Sequence, residues 1–167
     1  MQTNTGVIII DVCDFYLTEA WIPEENIQKF LVNMYNFLTE KIFSSTIVVV
    51  NDNAGPIESL ENLYGEFNGY PEKIVDLVSP FFRFYKDDWD CFLEEGLVCF
   101  LEYHNIETVY LCGLYSEFCV HASFHGALQR GFIPIAVESA CLMESGDVGI
   151  TQDLVNSMEK RVMSGIA

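Results

Sequence analysis

Hydrophobic positions along the chain follow two alternating rhythms. Unbroken aliphatic and β-branched runs, Gly6-Val-Ile-Ile-Ile-Asp11 and Thr46 to Val50, read as strands buried on both faces, as in a parallel sheet covered by helices. Between them Ile27, Phe30, Leu31, Met34, Phe37 and Leu38 fall on one stripe at helical spacing. Pro23-Glu-Glu opens that helix with a proline in the first turn and early acids, and it runs to Lys41. Further strands are predicted at Phe81–Tyr85, Thr108–Cys112 and Ile133–Val137. Further helices are predicted at Phe92–His104, at Glu117–Arg130 with Gly131 as the stop, and at Asp147–Arg161. Val162-Met-Ser-Gly is read as an edge strand. Asn51-Asp-Asn-Ala-Gly-Pro56 is a loop signal, and Ile57 to Ser79 mixes glycine, proline, acids and apolar residues in a long excursion with one short helix.

Strands alternating with helices predict an α/β fold: a three-layer α/β/α sandwich on a mainly parallel, Rossmann-like sheet with right-handed crossovers. No repeat, low-complexity tract or boundary divides the chain, so residues 1–167 are read as a single domain. Ligands in such folds sit beyond the carboxyl ends of the strands, near the point where strand order reverses. The first strand ends at Asp11, the third runs into Lys86, and the fourth ends at Gly113, shortly before Cys119. All three polar groups are therefore expected on one rim of the sheet.

Composition narrows the function. A chain of 167 residues that is 50% hydrophobic can bury a core without metal or disulfide staples. With 8 basic against 25 acidic residues the net charge is −17, which repels phosphate backbones and anionic headgroups. Nucleic-acid and membrane partners are thus not expected. No apolar run approaches the ~20 residues of a membrane helix, and Met-Gln-Thr-Asn-Thr has no basic region of a secretory signal. The 6 cysteines are scattered without a CxxC pair, which argues against a zinc ribbon or a disulfide framework and for reduced thiols in a cytoplasm.

One segment carries chemistry. From Gly113 the chain turns through five residues and places Cys119 at the start of a helix, where free N–H groups and the helix dipole favour a thiolate and an oxyanion. A cysteine is more often a buried, inert core residue, so it needs partners. Asp11 stands at the end of a buried strand, where it either caps a turn or works in a site. Lys86 either pairs with Asp87 or Asp88 in solvent or holds a thiolate and a carboxylate together. Phe15, Tyr16 and Trp89 are candidate pocket walls, although aromatics are as often ordinary core. His121 and His125 lie four apart on one helix, a chelating spacing without an evident third ligand. Two residues of helix is ~200° of rotation, so His121 is expected to face away from Cys119.

Together these residues resemble the isochorismatase-like cysteine hydrolases, which include nicotinamidases, N-carbamoylsarcosine amidohydrolases and ureidoacrylate-type amidohydrolases. The resemblance rests on Gly113-Leu114-Tyr115, Cys119-Val120, Gly131-Phe132 and Glu138-Ser139-Ala140-Cys141, the last read as a turn. It rests also on Ile-Ile-Ile-Asp11 and on Lys86 followed by Asp90-Cys91-Phe92. It implies that Cys119 attacks a carbonyl carbon after Asp11 takes its proton, with Lys86 stabilising the charged forms. It further implies an oxyanion hole from the backbone N–H groups of Tyr115 and Cys119, a cis peptide at Leu114–Tyr115, a thioester, and no organic cofactor. Relatives commonly form dimers or tetramers, so a homo-oligomer acting on a small-molecule substrate is expected.

Three positions depart from the family pattern. Cys13 replaces a usual glutamine, Tyr115 replaces a small residue, and Ala54 stands where a metal-binding histidine would follow Asp52. No metal site is therefore expected. The reading this supports is a hydrolase of a small amide, carbamoyl or ureido compound. A catalytically retired family member that binds small molecules or partners, an isochorismatase-type vinyl-ether hydrolase and a thiol-redox protein are the alternatives.

Overall fold

The aliphatic run near the start of the chain forms the central strand of a sheet. The computed structural model describes residues 4–12, 14–17, 21–41, 44–52, 82–159 and 161–164. Its strands are β1 (Asn4–Ile10), β2 (Ser45–Asp52), β3 (Phe82–Lys86), β4 (Ile106–Leu114), β5 (Ile133–Leu142) and β6 (Val162–Met163). Its helices are α1 (Asp14–Leu17), α2 (Glu24–Lys41), α3 (Glu95–Tyr103), α4 (His121–Gln129) and α5 (Gln152–Ser157). The six strands pair in the order β3-β2-β1-β4-β5-β6, every neighbour parallel. Strand order reverses between β1 and β4, the place where an open α/β sheet leaves a crevice.

Alternation along each strand sorts side chains onto two faces. Val7, Ile9, Ile47, Val49, Cys112 and Leu114 pack on the face covered by the apolar stripe of α2. Ile8, Ile10, Val48, Val50, Val109 and Leu111 pack on the other, against α3, α4 and the Cys91-Phe92 turn. Each such side chain contributes about 1.5–3 kcal/mol by leaving water, which explains why the buried runs 7–10 and 47–50 contain no polar residue. β-branched runs therefore gave three-layer packing, with α2 positioned by Glu24 and Glu25 in its first turn and Lys41 in its last. None of the described helices is long and apolar enough to cross a membrane.

Several boundaries differ from expectation, each for a local reason. The helix expected at Phe92–His104 is broken at Glu94. The Asp90 side chain accepts from Phe92 N at 2.8 Å and sets a 3₁₀ turn at Cys91–Leu93 before α3 begins. The helix expected at Asp147–Arg161 is only Gln152–Ser157. Val148 instead bridges to Leu142, Gly149 adopts φ 139°, and Thr151 caps Leu154 N at 3.4 Å. β5 runs on through Glu138 to Leu142, where a turn was expected, because Cys141 and Leu142 pair with Gly113 and Leu114 across a register shift in β4. Residues 57–79 lie outside the described residues.

Candidate active site

Three strand ends deliver the polar groups. β1 stops at Ile10, and Asp11 takes φ 54°, a left-handed conformation that aspartate tolerates, while its N–H donates to Val50 O at 3.0 Å. Its carboxylate is thereby swung off the strand end at the switch point. Lys86 is the last residue of β3, opposite Asp52 of β2. Near the end of β4, Gly113 takes φ 121° so close to β1 that any Cβ there would run into the Ile10 carbonyl oxygen. The Leu114–Tyr115 peptide is cis. A π-helical turn, Ser116–Val120, then carries Cys119 directly into α4. Buried Ser116 pins that turn by donating to Gly149 O at 2.6 Å.

Lys86 joins the other two. Its Nζ lies 2.9 Å from Asp11 Oδ2 and 3.4 Å from Cys119 Sγ, and it donates to Asp88 O at 3.1 Å. Three acceptors thus meet the three protons of an ammonium that is only 1% exposed. A buried ammonium is retained only when paired and hydrogen-bonded in this way. The carboxylate partner is Asp11 rather than the neighbouring Asp87 or Asp88, and Asp88 offers its backbone instead. Burial pulls the Lys86 ammonium down, but Asp11 and the Cys119 sulfur outweigh it, so its pKa lies above the ordinary lysine value. The Cys119 thiol is raised too, which in its case favours the neutral form. Burial, then the Asp11 charge, push it up to about 12, against the opposing pull of Lys86. At neutral pH the sulfur is therefore a thiol, hydrogen-bonded to the carboxylate able to accept its proton.

A cavity of about 130 Å³ opens on Asp11 and Cys119, with Tyr16, Trp89, Leu114, Tyr115 and Phe118 as its other walls. Tyr16 meets Tyr115 edge-on at 6.2 Å, and Trp89 packs on Phe118 at 5.0 Å, so the walls are two aromatic pairs. Two of the expected walls, Tyr16 and Trp89, are there. The side chain of Phe15 lies outside the described residues. Phe118 was not singled out from sequence, and Leu114 was expected at the cis peptide but not as a wall, although both belong to the segment that leads to the cysteine. Trp89 is placed by α4: Ser123, fully buried, donates to Trp89 O at 3.3 Å and accepts from Cys91 N at 3.1 Å. Cys13 and Ala54, two of the departures, fall outside the described residues, as does the side chain of Asp52.

The remaining candidates are elsewhere. His121 and His125 face α5, where His121 Nε2 lies 2.7 Å from Ser157 Oγ, and neither lines the cavity. Cys91, Cys112 and Cys141 are buried, Cys99 is exposed, and all are free thiols, as is Cys119. Among the described residues no group of three or more His, Cys, Asp or Glu is arranged to hold a metal ion.

Comparison with known proteins gives the family and the fold. The family model of the Isochorismatase domain matches residues 6–162. No curated protein sequence matches the chain. Among solved structures, the chain is similar to N-carbamoylsarcosine amidase from Thermoplasma acidophilum, with 20% identity and a TM-score of 0.69 over 94% of this chain and 91% of that one. It is similar to the nicotinamidase SaPncA from Staphylococcus aureus, with 16% identity and a TM-score of 0.61 over 93% and 89%. It is also similar to an octameric hydrolase of unknown specificity from Escherichia coli, the YcaC gene product, with 15% identity and a TM-score of 0.65 over 96% and 71%. At these identities the structural likeness speaks for the fold.

Proposed function

We propose that this chain, which belongs to the Isochorismatase domain family, is a cysteine-dependent hydrolase of a small amide, carbamoyl or ureido compound. The observation that carries the reading is Lys86 Nζ set 2.9 Å from the carboxylate and 3.4 Å from the thiol that line an aromatic cavity. Asp11 takes the thiol proton as Cys119 Sγ forms a bond to the substrate carbonyl carbon. The oxygen that gains charge is met by the backbone N–H groups of Tyr115 and Cys119. As the C–N bond breaks, Asp11 returns the proton to the departing amine, leaving a thioester on Cys119. Water then attacks that thioester, giving a proton to Asp11, which passes it back to the sulfur. Lys86 stays charged throughout and offsets the negative charge that moves between sulfur and carboxylate. No organic cofactor takes part.

The thiol's raised pKa fits this sequence of steps better than a resting thiolate would. The proton leaves only as the new bond forms, so the nucleophile is unmasked when substrate is in place. The scattered free thiols support a reducing, cytoplasmic setting. The octameric relative supports a homo-oligomer built from single-domain chains of residues 1–167.

A screen of small amides, carbamoyl and ureido compounds, read by intact-protein mass spectrometry, tests the reading. At least one compound should leave an acyl adduct on Cys119 and release amine. Cys119→Ala should abolish both, and Asp11→Asn should slow adduct formation at least ~10²-fold, the usual weight of a general base. Cleavage of a vinyl-ether compound that survives Cys119→Ala, with no adduct from any amide, carbamoyl or ureido compound, would instead point to the vinyl-ether chemistry of isochorismatase-type relatives. A second reading, a retired enzyme that keeps the pocket for binding, is favoured by Tyr115 in the cavity wall beside the thiol. Saturable binding in the cavity with no adduct from any compound would select it.

A further inference from the structure

The geometry points to a second site, a divalent transition-metal clamp between α4 and α5 made by His121, His125 and Ser157. The sequence shows only the two histidines. The fold brings in the third donor, because α5 ends with Ser157 Oγ against both rings. His121 Nε2 lies 2.7 Å from Ser157 Oγ, His125 Nε2 lies 3.4 Å from it, and the two imidazole nitrogens are 3.1 Å apart. The rings stand nearly perpendicular, 85° between planes, with both Nε2 atoms turned inward.

The separations suit a metal. Two ligand nitrogens bound at ~2.0–2.1 Å to one ion stand roughly 2.8–3.4 Å apart across a right-angled or tetrahedral pair. The triangle formed by the three atoms is small enough that one point lies about 2.1 Å from all of them. An ion there takes the three donors on one side and keeps its other positions for water. Imidazole with a hydroxyl is a borderline donor set, which suits Ni²⁺, Cu²⁺ or Zn²⁺ and disfavours Mg²⁺ and Ca²⁺. No carboxylate or thiolate joins the cluster among the described residues, so an affinity short of a structural zinc site follows. The net charge of −17 draws cations to the surface. The clamp is also separate from the catalytic trio, since neither histidine lines the cavity.

The third histidine of the chain, His104, stands among Phe82, Phe100 and Tyr103 and serves as an internal control. The experiment is a calorimetric titration of the reduced, iodoacetamide-blocked protein with Ni²⁺ alone, which removes accessible thiols as competing ligands. One equivalent should bind per chain. His121→Ala and His125→Ala should each weaken binding at least tenfold (~10–100-fold), and Ser157→Ala severalfold. Thermal unfolding should shift upward with Ni²⁺ in the unmodified chain and stay put in His125→Ala. Modification by diethyl pyrocarbonate, which needs no variant, should be blocked by Ni²⁺ at His121 and His125 and continue at His104. Binding that survives His125→Ala, or equal protection of all three histidines, would overturn the site. Equal affinity of Ser157→Ala and the unmodified chain would also overturn it, leaving only a surface histidine pair.

Discussion

Cys119 has a different environment from the chain's other described cysteines. Cys91 and Cys141 are fully buried and pushed up to about 12 chiefly by burial. Cys119 reaches about 12 with an ammonium 3.4 Å away pulling the other way, and it opens on a cavity. Its alkylation by iodoacetamide should therefore keep accelerating as pH rises past 9, without the neutral plateau of a preformed thiolate. Lys86→Met removes the group that favours the thiolate, so labelling at pH 9 should slow by roughly tenfold or more, the effect of about one pKa unit. A plateau near pH 7 would show a resting thiolate–ammonium pair and would reverse the order of proton transfer proposed above. Peptide mapping separates Cys119 from the exposed Cys99.

Helix α4 does more than carry the nucleophile at its start. Its inner face holds the segment that supplies Trp89 and the Asp88 carbonyl, through Ser123 and through a close approach of Asp90. Gly126 has no side chain because the Asp90 carboxylate occupies the space where a Cβ would lie. Within a helix, glycine to alanine ordinarily gains about 1 kcal/mol. Gly126→Ala should lose about 1–3 kcal/mol here, as overpacking does. In an Asp90→Ala background, with the carboxylate gone, the same change should become neutral or stabilising. Urea unfolding of the four proteins gives the coupling, and additive effects would mean that the contact is not limiting.

Across the whole molecule, alkaline pH should be the weak side. Cys91 and Cys141 keep their protons in the folded state up to about 12, while an unfolded thiol gives its proton up near the ordinary value of 9.0. The folded form thus binds more protons above pH 9, and stability must fall there, by roughly 1 kcal/mol per pH unit for each such buried thiol. Lys86, also raised, adds to the same trend at higher pH. The melting temperature should hold steady from pH 7 to 8.5 and drop steeply by pH 10.5. A net charge of −17 adds self-repulsion that salt screens, so moving from ~20 to ~500 mM NaCl should raise the melting temperature. A melting temperature flat to pH 10.5 would mean that the buried thiols are open to solvent.

What the chain's residue pattern determined by itself was the layering and the rim. Continuous β-branched runs are stable only when covered on both faces, and the α2 stripe needs a face to cover. Thus Asp11 and Lys86 at strand ends, and Cys119 in the turn that follows β4, were legible in the residue pattern alone. The pattern left the edges wrong where a single side chain or backbone angle outweighs periodicity. Asp90 capping Phe92 split one helix, and Gly149 with Thr151 shortened another. Distances were beyond its reach. That Lys86 chooses Asp11 over its neighbours, that Phe118 and Trp89 wall one cavity, and that Ser157 meets two histidines follow from packing between elements distant in sequence. Hydrophobic spacing records which face a residue takes, because burial is the same for every partner. Only the closed tertiary structure decides which partner stands there, since hydrogen bonds and ion pairs act over a few ångströms and in one direction.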